Sequence, residues 1–213
     1  MMSNLSEVRA RSMQQARQLG YRTNPNLPLL SDAQPPRGQT EVVERVLVVG
    51  ALLSGVLGDY PSDVLSRWLS QHRLWDAATL RERGYFSGDP LNERDLTDFR
   101  DHVESANALC WVLGRVSTLD FGTEVDDSLG ALLPNIEAGE GPAQFIDAAQ
   151  MRDNREVLAM CDLSYCLHWA IVDAHLNGRE APGQVEPCVV VYRRRALEWV
   201  LSRDDWDDVA MDT

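Results

Sequence analysis

Between Asp153 and Gly178 the chain reads DNREVLAMCDLSYCLHWAIVDAHLNG, one long helix with far too many large apolar residues for a surface position. Asp153 followed three residues later by Glu156 is a capping-box-like entry, and Gly178 after His175, Leu176 and Asn177 is a left-handed exit. Val157, Leu158, Met160, Leu163, Tyr165, Leu167, Trp169, Ile171, Val172 and Leu176 spread over most of its circumference. A helix apolar nearly all round is a central one, with other helices packed on several sides. The same helix carries Asp162, His168, Asp173 and His175, which therefore become the ionisable groups to watch.

Asn4 to Leu19 predicts a first helix, with Asn4 and Glu7 as the capping pair and Arg9, Arg11 and Arg17 at outer positions. Pro25, Pro28, Pro35 and Pro36 forbid regular helix in the arm that follows. From Thr40 to Leu57 the row Val42, Val46, Val49, Leu53, Val56 steps by three and four, and a second row of Val43, Leu47 and Leu57 thickens the apolar stripe. Thr79 and Glu82 form a capping box, and Asn92 to Leu113 is a further long helix. Ser117 to Gln150 is broken by glycine and proline and carries seven acids with no arginine; short helices fit Val125–Leu133 and Ala143–Ala149. Pro187 opens a last helix to about Leu201. No segment alternates with period two, and there is no internal repeat. These signals predict an all-α, single-domain bundle of about seven to nine helices around the buried helix 153–178: an N-terminal helix and proline-rich arm over 1–38, then a helical body over 39–213 with a docked acidic tail.

Composition excludes more than it assigns. A net charge of −13 disfavours nucleic acid and anionic membranes, both of which need a cationic surface, and suits a basic protein partner. All twenty basic residues are arginine, so Schiff-base, phosphate-loop and Ser-Lys chemistry are absent. Cys110, Cys161, Cys166 and Cys188 form no C-x-x-C pair and sit among apolar neighbours in predicted helices, which suits free buried thiols in a reducing compartment. The N-terminus lacks the apolar run of a signal peptide, and Val46–Gly58 is too short to span a bilayer; the expected location is cytoplasmic.

A search for chemistry yields no strong motif. Cys161, His168 and His175 share a face but at steps of seven, about 10.5 Å apart along the axis, so no metal site is expected, and no cofactor motif is present. Paired carboxylates are uninformative in so acidic a chain. Arg193, Arg194 and Arg195 sit mid-helix and cannot all face solvent; Arg194 is the one to point toward the central helix and meet Asp162 or Asp173. Trp206, flanked by Asp204, Asp205, Asp207 and Asp208, predicts that the tail folds back and docks.

The C-terminal third carries a recognisable pattern: Arg152, then Leu163-Ser-Tyr165-Cys-Leu-His-Trp169-Ala-Ile-Val-Asp173, then Val191 to Trp199, then Asp205 to Thr213. Upstream, Leu19-Gly-Tyr, Leu27-Pro28, Glu44-Arg45 and Ala106–Gly114 fit the same layout. Together these resemble a bacterial family known as domain of unknown function 4272. The resemblance implies a cytosolic helical protein, draws attention to Tyr165, Trp169 and Asp173, and supplies no reaction. Three functions follow as expectations. The first is an acidic protein-binding or inhibitor module, such as a toxin immunity protein. The second is an enzyme or small-ligand binder using a polar cluster of Arg152, His168, Trp169, Asp173, Arg194, Trp206 and Asp212. The third is a structural, self-associating protein.

Overall fold

The computed structural model describes residues 5–31 and 34–213; the expected cap at Asn4 lies outside them. Among the described residues every regular element is helical, in keeping with the all-α expectation. The α-helices are α1 (Leu5–Gln18), α2 (Gln39–Val56), α3 (Ser62–Gln71), α4 (Leu80–Phe86), α5 (Glu93–Val112), α6 (Ala143–Ala148), α7 (Asn154–Leu176) and α8 (Pro187–Leu201). Short 3-10 turns occupy Trp75–Ala77, Asp127–Leu132 and Trp206–Asp208. These elements gather into two compact units: one holds the chain up to Arg37, Thr118–Glu124 and Arg152–Thr213, the other Gly38–Ser117 and Val125–Met151.

In the first unit α7 packs against both α1 and α8. Leu163, Cys166, Leu167 and Ala170 of α7 close an apolar core with Ala16, Tyr21, Leu27, Phe121 and Val190. The entry to α7 differs from the expected reciprocal box. The Asp153 carboxylate accepts from the Arg155 amide at 2.8 Å, while Glu156 turns instead to Arg152 at 3.4 Å. Its exit is as read: Gly178 holds φ at +63°, where a Cβ would be strained. Helix α7 is long and apolar enough by composition to cross a membrane, but 72% of its apolar window is buried inside the fold, the pattern of a core helix. The proline arm is held at its end, where the Arg37 amide donates to Val200 O at 2.8 Å and the Arg37 guanidinium lies 4.3 Å over the Trp199 ring.

Arg9 is not at an outer position; it is buried, and its guanidinium faces Asp162 of α7. The helical arithmetic explains why. Arg9 lies three residues before Ser12 and seven before Ala16, both buried, and so shares their face.

The second unit is built on α2 against α5. Val42, Val46, Val49, Leu53 and Val56 are buried as their spacing predicts, and so are Phe99, Ala106, Cys110 and Leu113 opposite. Leu57 departs from the expected stripe: it caps the end of α2 and stands 55% exposed. Gly55 permits the close approach of neighbouring elements, since a Cβ there would run into the Tyr85 hydroxyl and come within 2.9 Å of Leu65 Cδ1. Thr79 and Glu82 do form their capping box. Glu82 also has a second task, because it is buried and its two carboxylate oxygens each accept from Arg45 Nη2 at 2.7 Å.

Candidate functional site

Two features qualify, one in each unit. In the first unit a network of buried polar groups runs along the α1, α7 and α8 faces. Arg9 Nη2 donates to Asp162 Oδ1 at 2.7 Å and Nε to the same oxygen at 3.1 Å, while Nη1 and Nη2 reach the carbonyls of Leu27 and Pro28 at 2.9 Å each. The Tyr165 ring takes both guanidiniums, Arg9 at 5.5 Å and Arg194 at 4.6 Å from its centroid, within cation–π range. Arg194 Nη1 approaches His168 Nδ1 at 2.6 Å, Nε donates to Glu198 at 3.2 Å, and Nη2 donates to the carbonyl of Asp212 at 2.8 Å. A guanidinium can only donate, so Nδ1 must accept, and His168 is the neutral tautomer protonated at Nε2.

Of the residues singled out from the sequence, Tyr165, His168, Arg194 and the main chain of Asp212 therefore come together. The others do not join them. Arg152 pairs with Glu156 at the entry of α7. Trp169 is half-buried against the apolar core. Asp173 serves the far end of α7, where it meets Arg179 at 2.5 Å and Arg22 at 3.6 Å. Trp206 is buried edge-on against Trp199, with centroids 5.3 Å apart, and its carbonyl accepts from Arg195 at 2.9 Å. Arg194 meets neither aspartate proposed for it; Asp162 belongs to Arg9. Sequence reasoning missed Arg9 and Glu198. Glu198 follows Arg194 by four residues, the spacing that places both on one helix face, and that was the available signal.

The chemistry of this network is that of a brace. Burial pushes the Cys110 thiol up to about 12 and the Cys166 thiol up to about 11, and it raises Cys161 well above the usual range. None of these three is a thiolate at neutral pH, so none is an activated nucleophile. Among the described residues no three His, Cys, Asp or Glu side chains are grouped to hold a metal ion. The His168 imidazole is pushed down to about 4, first because burial disfavours the charged ring and then because the Arg194 guanidinium lies against it.

That shift has a stability consequence. Between pH 4 and the ordinary histidine value of 6.5 the unfolded chain binds a proton that the folded ring refuses. The stability due to His168 is complete above that window and is lost as pH falls through it, by roughly 3 kcal/mol in total. Glu198 works in the opposite sense, since burial raises its carboxyl despite the opposing Arg194 charge, and it partly offsets the loss. Urea unfolding followed from neutral pH to about pH 5 is expected to show the wild type weakening while His168→Gln stays flatter. Equal slopes would show that the ring is not the titrating group.

In the second unit a groove of about 440 Å³ opens beside the end of α2. Its floor is apolar, with Leu53, Val103, Leu129, Leu133 and Ile136; the exposed Leu57 lines it with Asp126, Asp127 and Glu137, and among the described residues no basic side chain lines it. The three carboxylates come from the segment that looked loosest in the sequence, ordered by the 3-10 turn Asp127–Leu132. Asp126 caps that turn, accepting from the Ser128 amide at 2.9 Å, and hydrogen bonding to Ser128 holds its carboxyl below the usual range. The groove thus presents an apolar surface within a negative frame at neutral pH.

No curated protein and no solved structure matches the chain. The family model described as a domain of unknown function, DUF4272, matches residues 8–209, which takes in most of α1, all of α2 through α8 and the Trp206 turn, and the chain belongs to that family.

Proposed function

We propose that this chain is an acidic protein-binding module whose groove receives a basic, amphipathic segment of a protein partner. The observation that carries this reading is the groove itself: an apolar floor, the carboxylates of Asp126, Asp127 and Glu137 beside it, and no arginine among the lining residues. Apolar area supplies affinity in such a site, and the charged rim supplies orientation and association rate. The whole-chain charge of −13 adds long-range steering toward a cationic partner. Among the described residues, burial of Arg9, Arg45, Arg193 and Arg194 removes four cations from the surface against the three buried acids Glu82, Glu104 and Asp162, so burial does not make the surface less acidic. An inhibitor that neutralises a basic enzyme, as a toxin immunity protein does, is the most specific form of this reading.

The test uses defined peptides. A synthetic helix with leucines on one face and arginines on the other is titrated against the full chain by fluorescence anisotropy, beside a twin with glutamates in place of the arginines. The basic peptide is expected to bind, to weaken between about 50 and about 300 mM salt, and to lose about tenfold or more in affinity for Asp127→Arg/Glu137→Arg. Leu57→Asp should weaken it with less change in salt dependence. Indifference to both variants would remove the groove from the reading.

A further inference from the structure

The second unit holds another cavity, of about 550 Å³, lined by Arg115, Glu140, Gln144 and Phe145 and walled by Leu132, Leu133 and Pro134 among others. Arg115 sets it apart. Arg9, Arg45, Arg81, Arg193, Arg194 and Arg195 each donate to a carboxylate or a main-chain carbonyl. Arg115 donates to neither: its Nε is buried with no hydrogen-bond partner, and among the described residues no acid or carbonyl accepts from its guanidinium. In a chain with 33 acids a half-buried guanidinium with no protein acceptor is an exception; its Nε is closed off, and its two Nη groups are the donors left open to a ligand.

The position is also built. Gly114, at φ +67°, reverses the chain at the end of α5, and a Cβ there would meet Gln150 O at 2.9 Å. The Arg115 amide is tied to Cys110 O at 2.8 Å, and Gln150 N to Leu113 O at 2.9 Å. The guanidinium lies 5.7 Å from the centroid of the buried Phe145 ring, which leaves its planar edge for a ligand. We infer that this cavity is a binding site for a small carboxylate with an apolar body, held by Arg115 through paired N–H donors. A carboxylate matches the fork of a guanidinium, and the cavity falls in the size range of small-molecule sites. The Leu132, Leu133 and Pro134 wall suits a hydrocarbon or aromatic body. Glu140 on the same lining disfavours a polyanion such as a phosphate ester, because its carboxylate would repel the second charge.

The site shares Leu133 and Pro134 with the groove but needs no protein partner, so either reading can fail alone. The test titrates the full chain with benzoate, following the Arg115 Nε–H resonance by NMR, with benzamide and inorganic phosphate as the two comparison probes. Benzoate is expected to shift that resonance saturably and to bind at least about tenfold more tightly than benzamide or phosphate. Arg115→Gln should abolish the preference for benzoate over benzamide. Gln144→Trp, at an exposed position on the cavity wall, should weaken benzoate without altering Arg115, and it keeps the test open if Arg115→Gln does not fold. The inference is overturned by the absence of saturable benzoate binding, by equal affinity for benzamide, by phosphate binding as tightly as benzoate, or by Gln144→Trp binding benzoate as the wild type does.

Discussion

Arg9→Met is expected to lower the unfolding free energy of the first unit by about 3–5 kcal/mol. The substitution leaves the Asp162 carboxylate, 3% exposed, without its counter-charge, and takes the donors away from the carbonyls of Leu27 and Pro28. The loss comes from an ionised group stranded away from water, since the pair as a whole contributes much less than either half costs to remove. Arg9→Met/Asp162→Leu should therefore recover much of the stability lost by Arg9→Met alone. Urea unfolding read on Trp169, Trp199 and Trp206, the tryptophans of this unit, makes the comparison. A double variant as damaged as the single would show that the main-chain contacts of Arg9 matter more than its charge.

Glu82→Gln is expected to be comparably severe in the second unit, at about 3–5 kcal/mol. Both carboxylate oxygens face Arg45, which is itself buried, and one of them also accepts from the Thr79 amide at 2.8 Å to close the cap of α4. One side chain thus balances a buried cation and satisfies a helix end. Thr79→Ala removes the cap alone and should cost only about 1 kcal/mol, which separates the two contributions. Trp68, Trp75 and Trp111 report on this unit. A Glu82→Gln loss no larger than that of Thr79→Ala would mean that the Arg45 pair is worth little.

The parts of the fold written in local sequence were legible. Helix α7 could be bounded because Asp153 and Gly178 act within their own turns, and α4 because Thr79 and Glu82 are three residues apart. What was not legible depends on partners far along the chain. Arg9 and Asp162 are separated by 153 residues, so only the helical phase of Arg9 hinted at burial, and its charge argued against it. Arg194 does turn inward, but it meets an imidazole and the main-chain carbonyl of Asp212 and not Asp162 or Asp173, and a carbonyl has no signature in sequence. The groove escaped notice for a similar reason. Its walls are drawn from the end of α2, from Val103 and from 126–137, and the last of these reads as a short helix in a broken acidic stretch, with nothing to say what it faces. Arg115 looked unremarkable because an unanswered charge can be recognised only once its surroundings are known.

The interleaving of the two units sets an order of events during synthesis. Residues 38–151 supply the whole second unit, while the first unit needs α7 and α8, which leave the ribosome after it. Helix α1 is made well before α7 and has no partner for Arg9 until Asp162 emerges, a wait on the order of ten seconds at ordinary elongation rates. During that interval the second unit can fold with α1 still unattached at its N-terminal side. Variants that weaken the Arg9–Asp162 closure should for that reason lower the yield of folded chain in the cell more than their equilibrium stability alone would suggest.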